Sequence, residues 1–221
     1  MSPALPALIY RQLSSGEVWS VKGDAGPYDG LIRALEGPGR AEIAAACAAM
    51  LTDPDPVVRT GLVACLPWFA ETLGAERLVA LLEQRPELFV GVAPAGADPG
   101  FFGHPDLAKG VLSAIATLVQ PSDRRAIAQL RKAAADPEWG SHVLWALARV
   151  DGDWLLAHTK LVPHTAYGTL VPLRPTQRTA LISALAPWPA KVVKAIPSVF
   201  WKQFPGSEAV RLQGLLASAV G

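Results

Sequence analysis

The sequence lacks most of the motifs that are typical of enzymes. Only two of its 221 residues are cysteine, Cys47 and Cys65, and their spacing fits no metal-binding motif. It has no Gly-rich phosphate-binding motif and no Gly-x-Ser-x-Gly, and neither cysteine lies beside a recognisable histidine arrangement. We therefore predict no catalytic residue, no metal ligand and no cofactor. Both thiols are expected to be buried and reduced, since apolar helices favour the neutral thiol.

Long apolar runs are also missing. No stretch approaches the roughly 20 residues needed to cross a bilayer, and the first residues, MSPALPALIYRQ, lack a basic region followed by an apolar core. We expect a soluble protein that is not exported, does not enter a membrane and is located in the cytoplasm. The formal net charge of +1 is far from the basic balance that a protein binding duplex nucleic acid would have.

Apolar residues make up 51% of the chain, enough for a sizeable core. The clearest helical pattern starts at Ala41 and runs to Leu51, with one apolar stripe. Asp-Pro-Asp-Pro at 53–56 ends that helix, because a residue before proline leaves the α region, and Pro56 suits the first turn of a second helix. The second helix is predicted to point five residues inward: Val58, Leu62, Cys65, Leu66 and Phe69.

This pair of helices recurs along the chain. The eight residues from Arg59 resemble the eight from Arg178, offset by 119 residues. Aligning the weaker copies on a basic or near-basic position gives a span of 152 residues in four steps, or 38 residues per unit. A period near 40 with two helices per unit is typical of HEAT-like arrays. The anchor positions are Arg59, Lys109, His142, Arg178 and Arg211.

The segment Asp-Pro-Asp-Pro-Val-Val-Arg resembles the turn within a HEAT repeat. The resemblance implies an all-α solenoid of about five helical hairpins over residues 26–221, and a ladder between neighbouring repeats that involves Asp55 and Arg59. Later copies depart from the pattern, because His142 replaces the arginine in the third unit and Lys109 is aligned only with a gap. The resemblance implies no activity.

Residues 1–25 fall outside the repeat and are predicted to cap one end of the array. Alternating residues from Leu8 to Leu13 and from Glu17 to Val21, around Ser-Ser-Gly, predict a short β-hairpin. A flexible tail is the alternative. Residues 27–36 are predicted to form a first helix, which is closed by Gly-Pro-Gly.

Two insertions, at residues 90–104 and 162–174, interrupt the repeat at the turn between paired helices. Such turns lie along one edge of a solenoid, so we expect both loops to emerge on the same side and to offer aromatic anchors to a partner. The alternative is that the aromatic residues fold back and fill gaps between uneven repeats. The partner-binding candidates are Phe101, Phe102, His104, Trp139, His164 and Tyr167.

Charge is divided unevenly between the two halves. Residues 1–110 hold 8 Lys+Arg and 13 Asp+Glu, a net charge of −5, whereas residues 111–221 hold 12 and 6, a net charge of +6. Basic residues on two predicted helices of the second half form a candidate surface for phosphates or an acidic protein, although single charges are also common on a solvated helix face. They are Arg124, Arg125, Arg131, Lys132, Lys191, Lys194 and Lys202.

Five of the seven tryptophans are expected to be structural. Trp68, Trp145, Trp154 and Trp201 fall in helical apolar stripes and are predicted to lie in the core. Trp188, between Pro187 and Pro189, is predicted to pack at the break between two helices.

These patterns favour a non-catalytic scaffold or adaptor that holds a protein partner by the loop-bearing edge or the inner groove. The alternative is a nucleic-acid-binding protein related in type to the DNA glycosylases built on HEAT-like arrays. Asp151 and Asp153 beside Trp154, with Arg149 nearby, are the residue types that such an enzyme needs. Asp-Gly-Asp is, however, first of all a turn and helix-cap sequence. Partner identity and oligomeric state stay open.

Overall fold

The computed structural model of the chain describes residues 6–9, 13, 28–90, 107–136 and 141–221. These residues are mostly helical and include no β-strand, so the all-α class is confirmed. The chain divides into two compact units, Met1–Leu118 and Val119–Gly221. No charged residue lies between 110 and 119, so the division coincides with the change from the acidic to the basic half.

The helices of the first unit are short and closely spaced. Apart from the helical residues 6–9 and 13, those that the structure describes are α1 (Asp29–Glu36), α2 (Arg40–Met50), α3 (Pro56–Ala64), α4 (Ala70–Leu73), α5 (Ala75–Gln84) and α6 (Leu107–Leu118), with 3-10 turns at Leu66–Trp68 and Pro86–Phe89. Helix α6 packs against α5 and α3, and α2 packs against α1. No helix in the described ranges is long and apolar enough to span a membrane.

The first predicted hairpin is present in α2 and α3. Helix α3 begins at Pro56, as predicted, and the Asp55 carboxylate caps it by accepting the Val57 N–H at 2.9 Å. All five residues predicted to point inward are at most 1% exposed. The last part of the predicted helix is a 3-10 turn that carries Trp68 outward, where it is 40% exposed and its Nε1–H donates to Glu36. The core prediction is therefore wrong for Trp68.

The predicted β-hairpin at the N-terminus is not seen. Residues 6–9 and 13 are helical, which contradicts the first strand from Leu8 to Leu13. Ile9 and Leu13 are 2% and 1% exposed, and their spacing of four puts both on one face of a helix. The burial of Ile9 and Leu13 at helical spacing therefore outweighed the short alternating pattern that had predicted a strand. The second predicted strand, residues 17–21, lies outside the described residues.

The second unit contains α7 (Arg124–Ala134), α8 (Ser141–Val150), α9 (Gly152–Ala157), α10 (Pro175–Ala184), α11 (Ala190–Ala195), α12 (Ser198–Trp201) and α13 (Gly206–Ser218). The predicted insertion at 162–174 includes a 3-10 segment, His164–Leu170, that packs against α8. Helix α10 packs against α9 and α13. The insertion is thus part of the packed core of this unit.

Trp188 fills the break between α10 and α11, as predicted. Its side chain is 1% exposed, and its Nε1–H donates to the Ile182 carbonyl at 2.9 Å. Its backbone N–H donates to the Ala219 carbonyl at 2.7 Å, and an isolated parallel bridge joins it to Val220. The end of the chain is therefore attached to the connection between α10 and α11.

Two helical glycines offer a matched test of packing. A Cβ at Gly110 would lie 2.5 Å from Val63 Cγ1, whereas a Cβ at Gly214 in α13 would meet nothing within 4 Å. We expect Gly110→Ala to lower the free energy of unfolding by about 1–3 kcal/mol through overpacking of α6 against α3. Gly214→Ala should raise it by about 0.5–1 kcal/mol, since alanine loses less backbone entropy in a helix.

Urea denaturation followed by circular dichroism measures both effects. Adding Val63→Ala to Gly110→Ala should return part of the lost stability, because it removes the methyl group that the new Cβ meets. Equal stabilisation by both glycine replacements would show that α6 and α3 are not in the close contact described here.

Candidate functional site

A polar cleft of about 240 Å³ lies where α8 ends and α9 begins. The Asp-Gly-Asp sequence makes this connection, as its turn and cap character predicts. The other wall is the segment that leads into α10, which starts at Pro175. The lining residues are Ala148, Arg149, Val150, Asp151, Gly152, Asp153, Pro172, Arg174 and Gln177.

Both carboxylates of the cleft are held by neighbouring side chains. Asp151 accepts from Arg131 Nε at 2.7 Å. Asp153 accepts from Gln177 Nε2 at 2.7 Å and from the Arg174 guanidinium at 3.1 Å. Gln177 also accepts the Arg174 backbone N–H at 3.1 Å, so one buried amide joins the start of α10 to the start of α9. These contacts give the cleft a structural role in fastening two helices together.

Gly152 is required by this close approach. A Cβ at position 152 would lie 2.8 Å from Leu173 Cδ2 and 3.0 Å from both amide atoms of Gln177. The Asp-Gly-Asp sequence therefore has glycine at its centre because α10 packs directly against it.

Trp154, beside the cleft, is enclosed by cationic and aromatic neighbours. Its ring is stacked on His158 with centroids 4.2 Å apart, and the Arg131 guanidinium carbon lies 5.7 Å from the ring centroid. His158 Nδ1 is 2.8 Å from the Trp154 carbonyl. Arg149 donates to the Val119 carbonyl at 3.0 Å and lies over Trp145. The residue types predicted for glycosylase-like chemistry thus lie close together, but their polar groups are bound to other residues of the unit.

The partner-binding candidates within the described residues point into the protein. His164 Nε2 is 2.7 Å from the Leu185 carbonyl, and its ring meets Trp188 edge-on at 5.0 Å. Tyr167 meets Phe200 edge-on at 5.1 Å. Both side chains are only partly exposed, which agrees with the alternative that such residues fill gaps between repeats. Phe101, Phe102, His104 and Trp139 lie outside the described residues.

The seven residues of the predicted basic surface are all exposed. The second unit holds 12 Lys+Arg and 6 Asp+Glu, and its described carboxylates are engaged: Asp151, Asp153 and Glu208 form ion pairs, and Asp123 accepts the Gln120 N–H. Several basic side chains in the described part of this unit have no partner among its residues. They are Arg124, Lys132, Lys160, Lys191, Lys194 and Lys202.

One feature that the sequence reasoning missed is a buried arginine contact that occurs in both units. Arg59 is 7% exposed, and its guanidinium donates to the carbonyls of Asp53 and Pro54 in the turn before α3, and to Leu88 at 2.7 Å. Arg178 donates to the carbonyls of Leu170 and Val171 before α10 and to Glu208 at 2.6 Å.

The equivalence of these two arginines extends to their surroundings. Each is the fourth residue of a helix that begins with proline, and each precedes a threonine whose hydroxyl donates four residues back, to the Pro56 and Pro175 carbonyls. Each arginine also reaches about 30 residues ahead in the chain. The two segments that resemble each other in sequence, 119 residues apart, therefore also make similar contacts in the structure. Arg211, a weaker anchor, is half-exposed and donates to Thr179.

The two thiols form a buried cluster with Tyr28 in the first unit. Cys47 and Cys65 are free and fully buried, as predicted. Burial raises the pKa of each thiol to about 12, and the proximity of Cys47 adds to the increase at Cys65. Burial, and then Cys65, also raises the pKa of the Tyr28 hydroxyl. Groups that stay protonated at neutral pH are poor nucleophiles and poor metal ligands.

We expect this cluster to make the protein sensitive to alkali. An unfolded thiol loses its proton near pH ~8.5, whereas the folded thiols keep theirs up to about pH 12. The unfolded state is therefore favoured as pH rises above ~9, and stability should fall by up to about 1.4 kcal/mol per pH unit for each thiol. Urea denaturation between pH 7 and pH ~10 measures the loss. Thiol labelling at pH 8 that is as fast in the native protein as in urea would contradict the burial.

The described residues contain no group of three or more His, Cys, Asp or Glu side chains arranged to hold a metal ion. Comparison with known proteins gave no identification. No family model matches the chain, and no curated protein or solved structure matches it.

Proposed function

We propose that the protein is a non-catalytic scaffold or adaptor, a HEAT-like array of helical hairpins that holds a protein partner. The observation that carries the proposal is the arginine contact shared by α3 and α10. In each unit one guanidinium joins the turn of one hairpin to a segment about 30 residues later. A repeated contact between successive hairpins is the architecture of arrays that bind through extended surfaces.

A second argument is that the polar groups of the cleft serve the fold. A carboxylate that activates water or stabilises a sugar cation needs free lone pairs directed at the substrate. Asp151 is bound by Arg131, and Asp153 by Arg174 and Gln177. This arrangement favours a binding protein over the glycosylase-like alternative.

Affinity capture from the organism of origin tests the proposal. Three baits are compared. The first is the full chain, the second is the loop variant Phe101→Ala/Phe102→Ala, and the third is a control, Arg77→Ala, on the exposed face of α5. Tyr167 is left out of the loop variant because it packs on Phe200, so its removal would disturb the core. We expect a stoichiometric protein partner that the control bait retains.

Loss of that partner from the loop variant, with an unchanged melting temperature, would place binding at the predicted edge. Retention by the loop variant would move the interface to another surface of the array. Failure of every bait to recover any partner at stoichiometric amounts, together with turnover of a substrate, would overturn the proposed function.

A further inference from the structure

The stretch between Asp153 and Glu208 contains no carboxylate. Residues 154–207 include six Lys or Arg residues and no Asp or Glu. The two arginines in this stretch pair with the acidic residues at its borders: Arg174 with Asp153 and Arg178 with Glu208. The remaining cations are all lysines: Lys160, Lys191, Lys194 and Lys202.

Three of these lysines fall within twelve residues. Lys191 and Lys194 are spaced three apart on α11 and so lie on one face of that helix, and Lys202 directly follows α12. All three are exposed, and no hydrogen bond or ion pair joins them to other residues of the described unit. We call this group the lysine cluster.

The backbone that carries the lysine cluster is anchored from within. Ile196, Phe200 and Phe204 are 7%, 4% and 6% exposed, and Phe200 meets Tyr167, Trp201 and Phe204 edge-on with centroids 5.1–5.3 Å apart. Arg178 lies over the Phe204 ring at 4.9 Å. A docking surface on rigid support loses little entropy when a partner binds.

An exposed aliphatic side chain lies within the same segment. Val199 on α12 is 62% exposed, between Lys194 and Lys202 in the chain. Apolar contact at this position would add to the attraction of the lysines, whose long alkyl stems also pack well on apolar groups. The chemistry of the segment therefore suits a ligand that carries both carboxylates and aliphatic side chains.

We propose that the lysine cluster with Val199 is a docking surface for an acidic segment of a partner protein, one in which glutamate or aspartate alternates with aliphatic residues. The inference rests on the proposed function and names the class of partner. The partner would contact α11 and α12, and the predicted loop-bearing edge would not take part in binding this segment.

Two observations favour an acidic protein segment over a nucleic acid. The formal net charge of the whole chain is only +1, which gives a long polyanion little net attraction. A short acidic segment needs only the local positive charge of the lysine cluster. In residues 119–136 and 141–221 the exposed large hydrophobic side chains are all valine, and the one within the segment of the lysine cluster, Val199, offers an aliphatic contact rather than a ring on which bases stack.

Fluorescence anisotropy of a labelled Glu- and Leu-rich peptide with the full chain tests the proposal, at low and then physiological ionic strength. The test variant is Lys191→Gln/Lys194→Gln/Lys202→Gln. The control, Arg124→Gln/Lys132→Gln/Lys160→Gln, removes three unpaired charges of the same sign from the same unit. We expect the test variant to bind about tenfold more weakly and the control about twofold. Val199→Asp should weaken binding as strongly as the test variant.

Equal losses in the two triple variants would overturn the proposal, because binding would then depend on net charge alone. Tighter binding of a labelled DNA duplex than of the peptide at the same salt would replace the acidic segment by a nucleic acid. Self-association at low salt that only the test variant abolishes would replace it by a second copy of this chain. Absence of peptide binding, with a partner still captured by the wild-type bait, would reject this surface and leave the proposed function intact.

Discussion

Replacing Arg59 with alanine is expected to lower the free energy of unfolding by about 3–5 kcal/mol. Its guanidinium donates to three backbone carbonyls, at 2.6, 2.7 and 2.9 Å, and its side chain is almost fully buried. Hydrogen bonds from a charged donor contribute about 1.5–3 kcal/mol each, and buried carbonyls left without a donor cost more than the bonds contributed. Urea denaturation followed by circular dichroism measures the change.

Arg77→Ala supplies the control, because Arg77 is an exposed arginine of the same unit. Arg59→Lys should recover only a small part of the loss, since a single ammonium group cannot reproduce the fork that reaches the turn before α3 and Leu88 together. A loss from Arg59→Ala no larger than that from Arg77→Ala would show that the three hydrogen bonds do not stabilise the first unit.

Trp188→Ala is expected to destabilise the second unit by about 3–5 kcal/mol. The indole is the largest fully buried side chain of the described residues, and its removal leaves a cavity between α10, α11 and the end of the chain. Trp188→Phe should cost less, because the ring volume is largely kept and only the hydrogen bond to Ile182 is lost. Differential scanning calorimetry measures both changes.

Deletion of residues 219–221 provides an independent check on Trp188. It removes the Ala219 carbonyl and the bridge to Val220 while the indole remains. We expect a smaller loss than for Trp188→Ala, of about 1 kcal/mol for the hydrogen bond. A truncation as costly as the alanine replacement would indicate that the backbone contacts, and not the buried ring, hold this region.

The sequence predicted the elements that depend on local chemistry. The start of α3 at Pro56 and the apolar spacing of that helix follow from rules that act within a few residues. The same reasoning found Trp188 between two prolines and the free thiols in apolar helices, and the structure confirms both.

Predictions that required knowledge of distant neighbours did less well. Trp68 lies in an apolar stripe if the helix continues, but the chain turns into a 3-10 segment at Leu66 and the indole rotates outward. The segment from Leu8 to Leu13 alternates too briefly to outweigh two buried side chains at helical spacing. In both cases the backbone conformation decided which face of the segment a residue presents.

The site could be predicted only in its composition. The sequence shows Asp151, Asp153, Trp154 and Arg149 close together, but not that Gln177 and Arg131 would occupy the carboxylates. The resemblance to HEAT repeats drew attention to Arg59, but it implied a ladder with Asp55, whereas in the structure this buried guanidinium donates to main-chain oxygens. Hydrogen-bond partners that are distant in the chain cannot be recognised from the pattern of the sequence.

The choice of main-chain oxygens as acceptors for Arg59 affects how the sequence of this hairpin can diverge. A carbonyl is present whatever side chain occupies the position, so Asp53, Pro54 and Leu88 could be replaced by many residues without loss of the hydrogen bonds. For these hydrogen bonds only the arginine and the proline three residues before it are constrained by chemistry. A hairpin held in this way can vary at its acceptor positions while its buried apolar residues stay constrained by packing, and a proline followed three residues later by arginine is the mark by which to look for another.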